Sequence, residues 1–265
     1  MISFVGAGPG APDLITLRGA DRLSRADIVI WASSLVPEAV LVHARDDVER
    51  HDSATMTLED VLEIYETSAG AAIVRLHSGD PSIYGAIQEQ IDWCVAHERD
   101  FEVVPGVSSL AAAAAAVGRE LTIPAVAQSV VLTRLAGRTR ASMPERESVA
   151  AFAAHGATMA VFLSAARPGE MQEALLAEGN GYSPETPAAI VVRASWSDER
   201  VVVTTVGELA TDLDATGART TVLVLVGPAL SGADATASRS HLYSPGYAHR
   251  FRRRSAPGST EGRPA

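Results

Sequence analysis

Four short stretches of this chain combine glycine, proline, serine and aspartate in patterns that could bind a small molecule. They are GAGPG at residues 6–10, WASSL at 31–35, SGDP at 78–81 and PGVSS at 105–109. Glycine lets a backbone approach a ligand closely, hydroxyl groups donate and accept hydrogen bonds, and the Asp80 carboxylate accepts them. Each stretch follows a predicted strand, and ligands bind beyond the carboxyl ends of parallel strands. The four stretches therefore predict one binding site at one edge of a sheet.

The first stretch satisfies the loose dinucleotide-binding pattern G-x-G-x-x-G/A through Gly6, Gly8 and Ala11. Pro9 removes one of the N–H donors that should face a pyrophosphate. The next predicted strand ends in Trp-Ala-Ser-Ser, and the acidic residue that should hold a ribose is missing until Glu38. A nicotinamide or flavin site is therefore disfavoured.

The composition excludes several classes of protein. The chain has 265 residues, of which 47% are hydrophobic and 20% charged, as expected for one large globular domain or two smaller ones. All 22 basic residues are arginine, so lysine Schiff bases and the P-loop lysine are excluded. The net charge of −10 argues against a general nucleic-acid binder.

Cysteine content and hydropathy set further limits. Cys94 is the only cysteine, which excludes disulfides within the chain and cysteine-clustered metal sites, and no bound metal is predicted. The amino-terminal residues do not resemble a secretory signal, and the longest apolar run, residues 110–117, is far shorter than the roughly 20 residues of a membrane span. We therefore expect a cytoplasmic protein that does not enter a membrane.

Strands and helices alternate through the first half of the chain. Strands are predicted at residues 2–5, 28–31, 72–76 and 101–104. Helices are predicted after Thr16 and Thr57, which are N-cap candidates, and in the alanine-rich segment after PGVSS. This alternation predicts an α/β fold with a parallel, doubly wound sheet in an N-terminal domain, residues 1–118.

The pattern restarts in the second half and predicts another α/β domain, residues 119–230. Its strands are predicted at residues 126–133, 159–163, 188–193, 201–205 and 221–226, with helices at 145–155 and 168–178. The strands are close enough in sequence to form hairpins. Residues 231–265 are a polar C-terminal extension, which we expect to be disordered after residue 254.

With these loops placed, the sequence resembles the tetrapyrrole methylases, which are methyltransferases of cobalamin and sirohaem synthesis that use S-adenosyl-L-methionine (SAM). The stretches that carry the resemblance are GAGPGAPDLITLRG, ASSLVP, HSGDPSIYGA, VPGVSS, LTIPAVAQSVVLTRLAGRT, ASWSDE and SHLYSPGYAHRF. The resemblance covers nearly the whole chain, from Val5 to about Arg252. The fifth stretch and GDPSIYGA are narrower, and together they resemble the branch that methylates C11 of precorrin-4 to give precorrin-5 in corrin synthesis.

The resemblance implies an architecture and a set of site residues. It implies a second domain with a mixed sheet, SAM in the cleft between the two domains, and a homodimer. The residues that match SAM-contacting positions of the family are Pro9, Gly79, Asp80, Ile83, Ser108, Ser109, Leu163, Ala194 and Thr221.

The substrate side is predicted from chemistry as well as from the resemblance. A tetrapyrrole substrate carries many carboxylates, which arginine forks, amides and hydroxyls can hold. The candidates for substrate binding are Gln128, Arg134, Arg138 and Thr139. The catalytic candidates are Ser33, Ser34 and Tyr84, which are expected at the pocket edge within reach of the macrocycle or its proton. His77 is the one histidine worth testing.

Several alternatives stay open at this point. The macrocycle could contain cobalt, or another ring position could be methylated, including the uroporphyrinogen step. A non-catalytic tetrapyrrole carrier and a nicotinamide oxidoreductase belong to different classes, and intact SGDP and PGVSS stretches argue against the carrier. Ala125 stands where the family commonly has glutamate, and WASSL replaces a commoner loop with tyrosine and glycine, so the fine placement of the substrate is in doubt.

Overall fold

Two five-stranded sheets form the framework of the protein. The computed structural model describes residues 1–136, 143–231, 240, 242, 244 and 246–252, and the predicted substrate residues Arg138 and Thr139 lie outside these ranges. Within the described ranges, no helix combines the length and the apolar character that crossing a membrane requires. The predicted α/β fold with one parallel and one mixed sheet is confirmed.

The first sheet is entirely parallel and has the strand order β3-β2-β4-β1-β5. Its strands are β1 (Ile2–Gly6), β2 (Ile28–Trp31), β3 (Glu49–Asp52), β4 (Ile73–His77) and β5 (Phe101–Val104). Its helices are α1 (Leu17–Ser24), α2 (Leu58–Thr67), α3 (Gln88–Ala96) and α4 (Ser109–Val117). The strand β3 was not predicted, because its sequence Glu-Arg-His-Asp is an edge strand that buries little and has no apolar pattern.

Helices cover both faces of this sheet, as doubly wound topology requires. Val29 and Val74 share one core cluster with Leu23 of α1. On the opposite face, Phe4 packs in a cluster with Tyr65 of α2. The predicted caps are also present: Thr16 accepts a hydrogen bond from the Gly19 N–H, and Thr57 forms a capping box with Asp60.

The second sheet has the order β6-β7-β10-β8-β9, with β6 parallel to β7 and the other neighbours antiparallel. Its strands are β6 (Val130–Arg134), β7 (Thr158–Phe162), β8 (Pro187–Val192), β9 (Arg200–Thr205) and β10 (Val222–Val226). Its helices are α5 (Val149–Ala153), α6 (Pro168–Leu175) and α7 (Leu209–Ala215). The hairpin expected in this half is β8–β9.

Two boundaries in this half differ from the predictions. The strand predicted from residue 126 begins at Val130, because Pro124 and Ala125 form a turn in which the Ile123 carbonyl accepts hydrogen bonds from two following N–H groups. The helix predicted for residues 145–155 is a single 3-10 turn, Glu145–Glu147, followed by the short helix α5, which Ser148 caps.

The alanine-rich helix α4 joins the two sheets. Ala112 and Ala113 of α4 pack against Ala160, Val191 and Leu225 of the second sheet. Such small side chains let the helix axis approach the strands closely. Helices α5, α6 and α7 cover the opposite face of that sheet. The predicted division after residue 118 follows the end of α4 directly and stays a prediction.

Candidate active site

Three of the four predicted loops meet where β1 and β4 end. Gly8 and Gly79 pair as an antiparallel bridge, with N···O distances of 2.8 and 3.3 Å between their backbones. A Cβ atom placed on Gly6 would lie 2.5 Å from the Gly106 Cα atom, so the PGVSS loop is packed against the same point. The three loops are therefore in direct backbone contact, which only residues without a side chain permit.

The Asp80 carboxylate fastens two of these loops together. It accepts hydrogen bonds from the Gly106 N–H at 2.9 Å, from the Ser82 N–H at 2.9 Å and from the Ser82 hydroxyl. Partial burial raises the pKa of Asp80, but the hydrogen bonds from Ser82 and Gly106 together outweigh it and lower the pKa below its ordinary value. Asp80 is thus ionised, and its direct contact with SAM stays a prediction.

A cavity of about 310 Å³ lies between the two halves of the chain. The predicted residues that line it are Pro9, Ile83, Tyr84, Ser109, Leu163, Ala194 and Thr221. Gly79 belongs to the loop that follows the lining residue Ser78, and Ser108 caps α4 by accepting a hydrogen bond from the Leu110 N–H at 3.3 Å. The structure therefore brings most of the predicted cofactor residues to one cavity, and the volume is that of a small-molecule site.

Backbone strain is concentrated around this cavity. Tyr84, Leu163 and Thr221 have φ angles of 57°, 52° and 56°, a left-handed conformation that favours glycine. Thr221 is β-branched, which makes a left-handed conformation especially rare, and Leu163 is 69% exposed, so burial of its side chain does not offset its strain. Each such residue costs of order 1–3 kcal/mol, and such strain is concentrated at active sites and ligand clamps.

Tyr84 and Arg134 are brought together from the two halves. The Tyr84 ring lies 5.3 Å from the Phe162 ring, and Phe162 is the neighbour of Arg134 in the β6–β7 register. Burial raises the pKa of the Tyr84 phenol, and the nearby Arg134 guanidinium lowers it by a smaller amount. The phenol therefore stays protonated at neutral pH and can donate a hydrogen bond.

Ser33 and Ser34 lie on an exposed loop, beside Leu35, which lines the cavity. The Ser33 N–H donates a hydrogen bond to Asp52 Oδ1 at 3.0 Å, and hydrogen bonds from the Ser33 side chain and backbone lower the pKa of Asp52. The two serines are thus at the cavity edge and not in its wall, and their catalytic role stays a prediction.

Gln128 is not brought to the same place as Arg134. It lines a separate cavity of about 540 Å³ together with Ser129 and His155. Because β6 begins only at Val130, Gln128 precedes the amino end of this strand, whereas Arg134 lies at its carboxyl end. The two residues would lie far apart even along the strand predicted from residue 126. Only their place in the same sequence segment suggested that they bind one substrate together.

Three residues near the cavity were missed. Leu35 and Arg219 line it, and Trp196 contacts the loop that contains Pro9. Arg219 forms an exposed ion pair with Asp214 at 2.9 Å. Leu35 and Trp196 belong to stretches that were already singled out, whereas no pattern around Arg219 distinguishes it from other arginines.

Comparison with known proteins identifies the family. The model for tetrapyrrole (corrin/porphyrin) methylases matches residues 1–210. A cobalt-precorrin-4 C(11)-methyltransferase from Methanocaldococcus jannaschii is 42% identical over 254 residues, which are 95% of this chain and 96% of the relative. A precorrin-4 C(11)-methyltransferase from Sinorhizobium sp is 43% identical over 255 residues, 96% of this chain and 98% of the relative.

Solved structures agree with these matches. The X-ray structure of a cobalt precorrin-4 methyltransferase superposes with a TM-score of 0.81 at 40% identity and covers 87% of this chain and 96% of its own. A uroporphyrin-III C-methyl transferase from Thermus thermophilus, complexed with S-adenosyl homocysteine, has a TM-score of 0.71 at 27% identity, with 86% and 98% covered. The chain belongs to the tetrapyrrole (corrin/porphyrin) methylase family.

Proposed function

We propose that this chain transfers the methyl group of SAM to C11 of precorrin-4. The observation that supports the proposal is the cavity between the two halves, lined from both sides by the predicted residues. It occurs in a chain whose relatives of 41% and 43% identity, over nearly its whole length, are named precorrin-4 C(11)-methyltransferases.

The cavity suits SAM in its chemistry. SAM has no phosphate, so a loop that lacks the Pro9 N–H loses nothing in binding it. When bound, SAM supplies a methyl group on a positively charged sulfur. We expect Pro9, Ile83 and Ser109 to hold it from one side and Leu163, Ala194 and Thr221 from the other. The strain at Leu163 and Thr221 supports this assignment, because such conformations persist where a site requires them.

The residues of the chain act mainly by positioning. The attacking ring carbon of a pyrrole-derived macrocycle is already nucleophilic, so little acid–base assistance is needed. Correct orientation of two reactants can contribute roughly 7–11 kcal/mol. We propose that the Arg134 guanidinium binds a substrate carboxylate and that the protonated Tyr84 phenol donates a hydrogen bond to the macrocycle.

A second candidate substrate is cobalt-precorrin-4. The observation that favours it is the similarity, at 42% and 40% identity, to proteins whose names specify the cobalt-containing compound. The metal would be part of the substrate and needs no ligand from this chain.

We also propose that the protein acts in the cytoplasm as a homodimer. Light scattering of the purified protein would test the homodimer.

The decisive experiment supplies both macrocycles. Purified protein is incubated with SAM and either precorrin-4 or cobalt-precorrin-4, the product mass is measured, and carbon NMR locates the new methyl group. A methyl group at C11 of the metal-free compound is the expected result. Transfer to the cobalt compound alone would establish the second candidate. Binding of both macrocycles without transfer would overturn the proposal in favour of a carrier.

A further inference from the structure

The side chain of Trp196 lies directly on the glycine-rich loop that lines the cavity. Its indole Nε1–H donates a hydrogen bond to the Pro9 carbonyl at 2.9 Å. A Cβ atom on Gly10 would lie only 2.1 Å from the Trp196 Cδ1 atom. Next to it, the Ala11 N–H donates to the Ser195 hydroxyl oxygen at 3.0 Å. Three consecutive residues of the first half are thus held by two residues that follow β8.

Gly10 is explained by this contact. Its backbone is not in the left-handed region, so conformation alone does not require glycine there. The nearest atoms to an added Cβ all belong to the Trp196 ring. A side chain at residue 10 would therefore displace the indole, and the missing side chain is what lets the ring approach the loop.

The turn that carries Trp196 is itself rigidly built. Arg193 and Ser195 are left-handed, with φ angles of 49° and 66°. The Arg193 guanidinium lies 5.2 Å from the centre of the Trp196 ring and pairs with Asp198 at 2.5 Å. The Ser195 N–H donates to a Glu199 carboxylate oxygen at 2.6 Å. The indole is thus fixed from its own side before it meets the loop.

The contact links the two walls of the cavity. Pro9 lines one wall and accepts the indole hydrogen bond through its own carbonyl. Ala194 lines the opposite wall and lies between the two left-handed residues of the turn. A shift of the indole therefore changes the separation of Pro9 and Ala194.

We propose that Trp196 is a positioning residue that sets the width of the cavity between the two halves. The inference rests on the proposed function, because the cavity must bind SAM for its width to matter. It requires that changes at Trp196 weaken ligand binding and methyl transfer more than they weaken the fold.

The first test is Trp196→Phe in the full chain, with S-adenosylhomocysteine as the probe. Phenylalanine keeps a ring on the loop but removes the N–H donor, so the dissociation constant should rise roughly 2- to 10-fold, the range of one net hydrogen bond. KM for SAM should rise in parallel, with the unfolding midpoint little changed. The matched control is Trp93→Phe, whose ring stacks on His97 at 4.2 Å away from the cavity and should leave binding unchanged.

The second test measures the coupling between Gly10 and Trp196. Gly10→Ala alone should weaken S-adenosylhomocysteine binding more than tenfold, because the methyl group displaces the indole. In a Trp196→Ala background the same change should cost little, because the ring is gone. Additive effects, or unchanged affinity in Trp196→Phe, would overturn the inference while leaving the proposed function intact. Failure of the unaltered protein to bind the probe would overturn the proposed function and the inference with it.

Discussion

The two walls of the cavity are built by opposite backbone devices. On the N-terminal side, Gly6 and Gly106 pack against each other and against the Gly79 carbonyl, with no room for a Cβ atom on either of them. On the C-terminal side, Leu163 and Thr221 hold left-handed conformations although they carry side chains. The N-terminal wall therefore depends on tight glycine contacts, beside the left-handed Tyr84, whereas the C-terminal wall depends on left-handed residues that carry side chains.

This difference predicts opposite responses to substitution. Adding a Cβ atom to the N-terminal wall should break it, because the neighbouring atoms are backbone and cannot move aside. Removing a Cβ atom from the C-terminal wall should relax it, because glycine adopts the left-handed region without strain.

The largest expected effect is that of Gly106→Ala. The added Cβ would lie 2.1 Å from the Gly79 carbonyl oxygen and 2.7 Å from the Gly6 Cα atom. We expect a loss of about 3 kcal/mol or more in the free energy of unfolding, together with loss of S-adenosylhomocysteine binding. Urea unfolding measures the first and calorimetry the second. Gly169→Ala is the control, since a Cβ there meets no atom within 4 Å, and equal stability of the two variants would contradict the prediction.

A smaller effect concerns His77, beneath the loop that carries Tyr84 on the N-terminal wall. Burial, with a further contribution from Arg75, lowers the pKa of His77 to about 3, while a hydrogen bond with the Gly85 backbone opposes this. An unfolded histidine titrates near 6.5, so below that pH the unfolded chain binds an extra proton and stability falls as the pH drops. From pH 7 to pH 5 we expect a loss of about 2 kcal/mol from this group.

His77→Gln tests this acid sensitivity. Glutamine keeps an N–H donor for the Gly85 backbone but does not titrate. The free energy of unfolding, measured with urea, should therefore fall between pH 7 and pH 5 by about 2 kcal/mol less in the variant than in the unaltered protein. Between pH 8 and pH 7 the free energies of unfolding of the two proteins should change by the same amount, which serves as the internal control. An unchanged difference between pH 7 and pH 5 would show that the folded protein protonates His77 as readily as the unfolded chain does.

Thr221→Gly probes the C-terminal wall and should have the opposite sign to Gly106→Ala. Relief of the left-handed strain should raise the free energy of unfolding by about 1 kcal/mol, after the larger chain entropy of glycine is subtracted. Binding of S-adenosylhomocysteine should weaken, because Thr221 lines the cavity. Thr220→Gly is the control: Thr220 is exposed and not left-handed, so the change should lower stability. A fall in stability for Thr221→Gly would remove the proposed contrast between the walls.

The same contrast explains which parts of the site could be predicted from sequence. Glycine marks the N-terminal wall, so GAGPG, SGDP and PGVSS were recognisable as a site before the fold was known. Left-handed leucine and threonine have no such mark, and Leu163 and Thr221 were assigned only through family resemblance. Leu163 directly follows β7, Thr221 directly precedes β10, and both line the cavity, so their strain is set by a tertiary arrangement that local sequence does not encode.

The strands, too, could be predicted only where the sequence carries a recognisable pattern. The strand Ile28–Trp31 was predicted at its observed bounds because a buried parallel strand is an apolar run. The edge strand Phe101–Val104 is mostly exposed, and it was predicted because three of its four residues are apolar. The edge strand Glu49–Asp52 was missed because exposed residues need no pattern. The contact of Trp196 with Gly10 could not be predicted either, since nothing in a chain separation of 186 residues specifies which atoms meet.

The smallest expected effect is that of Asp80→Asn, which loosens the N-terminal wall without adding an atom. Hydrogen bonds from Ser82 and Gly106 overcome the effect of burial and lower the pKa of Asp80, so the ionised carboxylate stabilises the folded state. That contribution is complete above the ordinary carboxyl pKa near 3.8 and is lost as the pH falls through the lower value in the folded protein. Urea unfolding should therefore show the unaltered protein more stable than Asp80→Asn at pH 7, with the difference shrinking in acid. A stability difference that stays constant with pH would show that the charge of Asp80 does not stabilise the folded state. The rigidity of the N-terminal wall would then come from the glycine contacts.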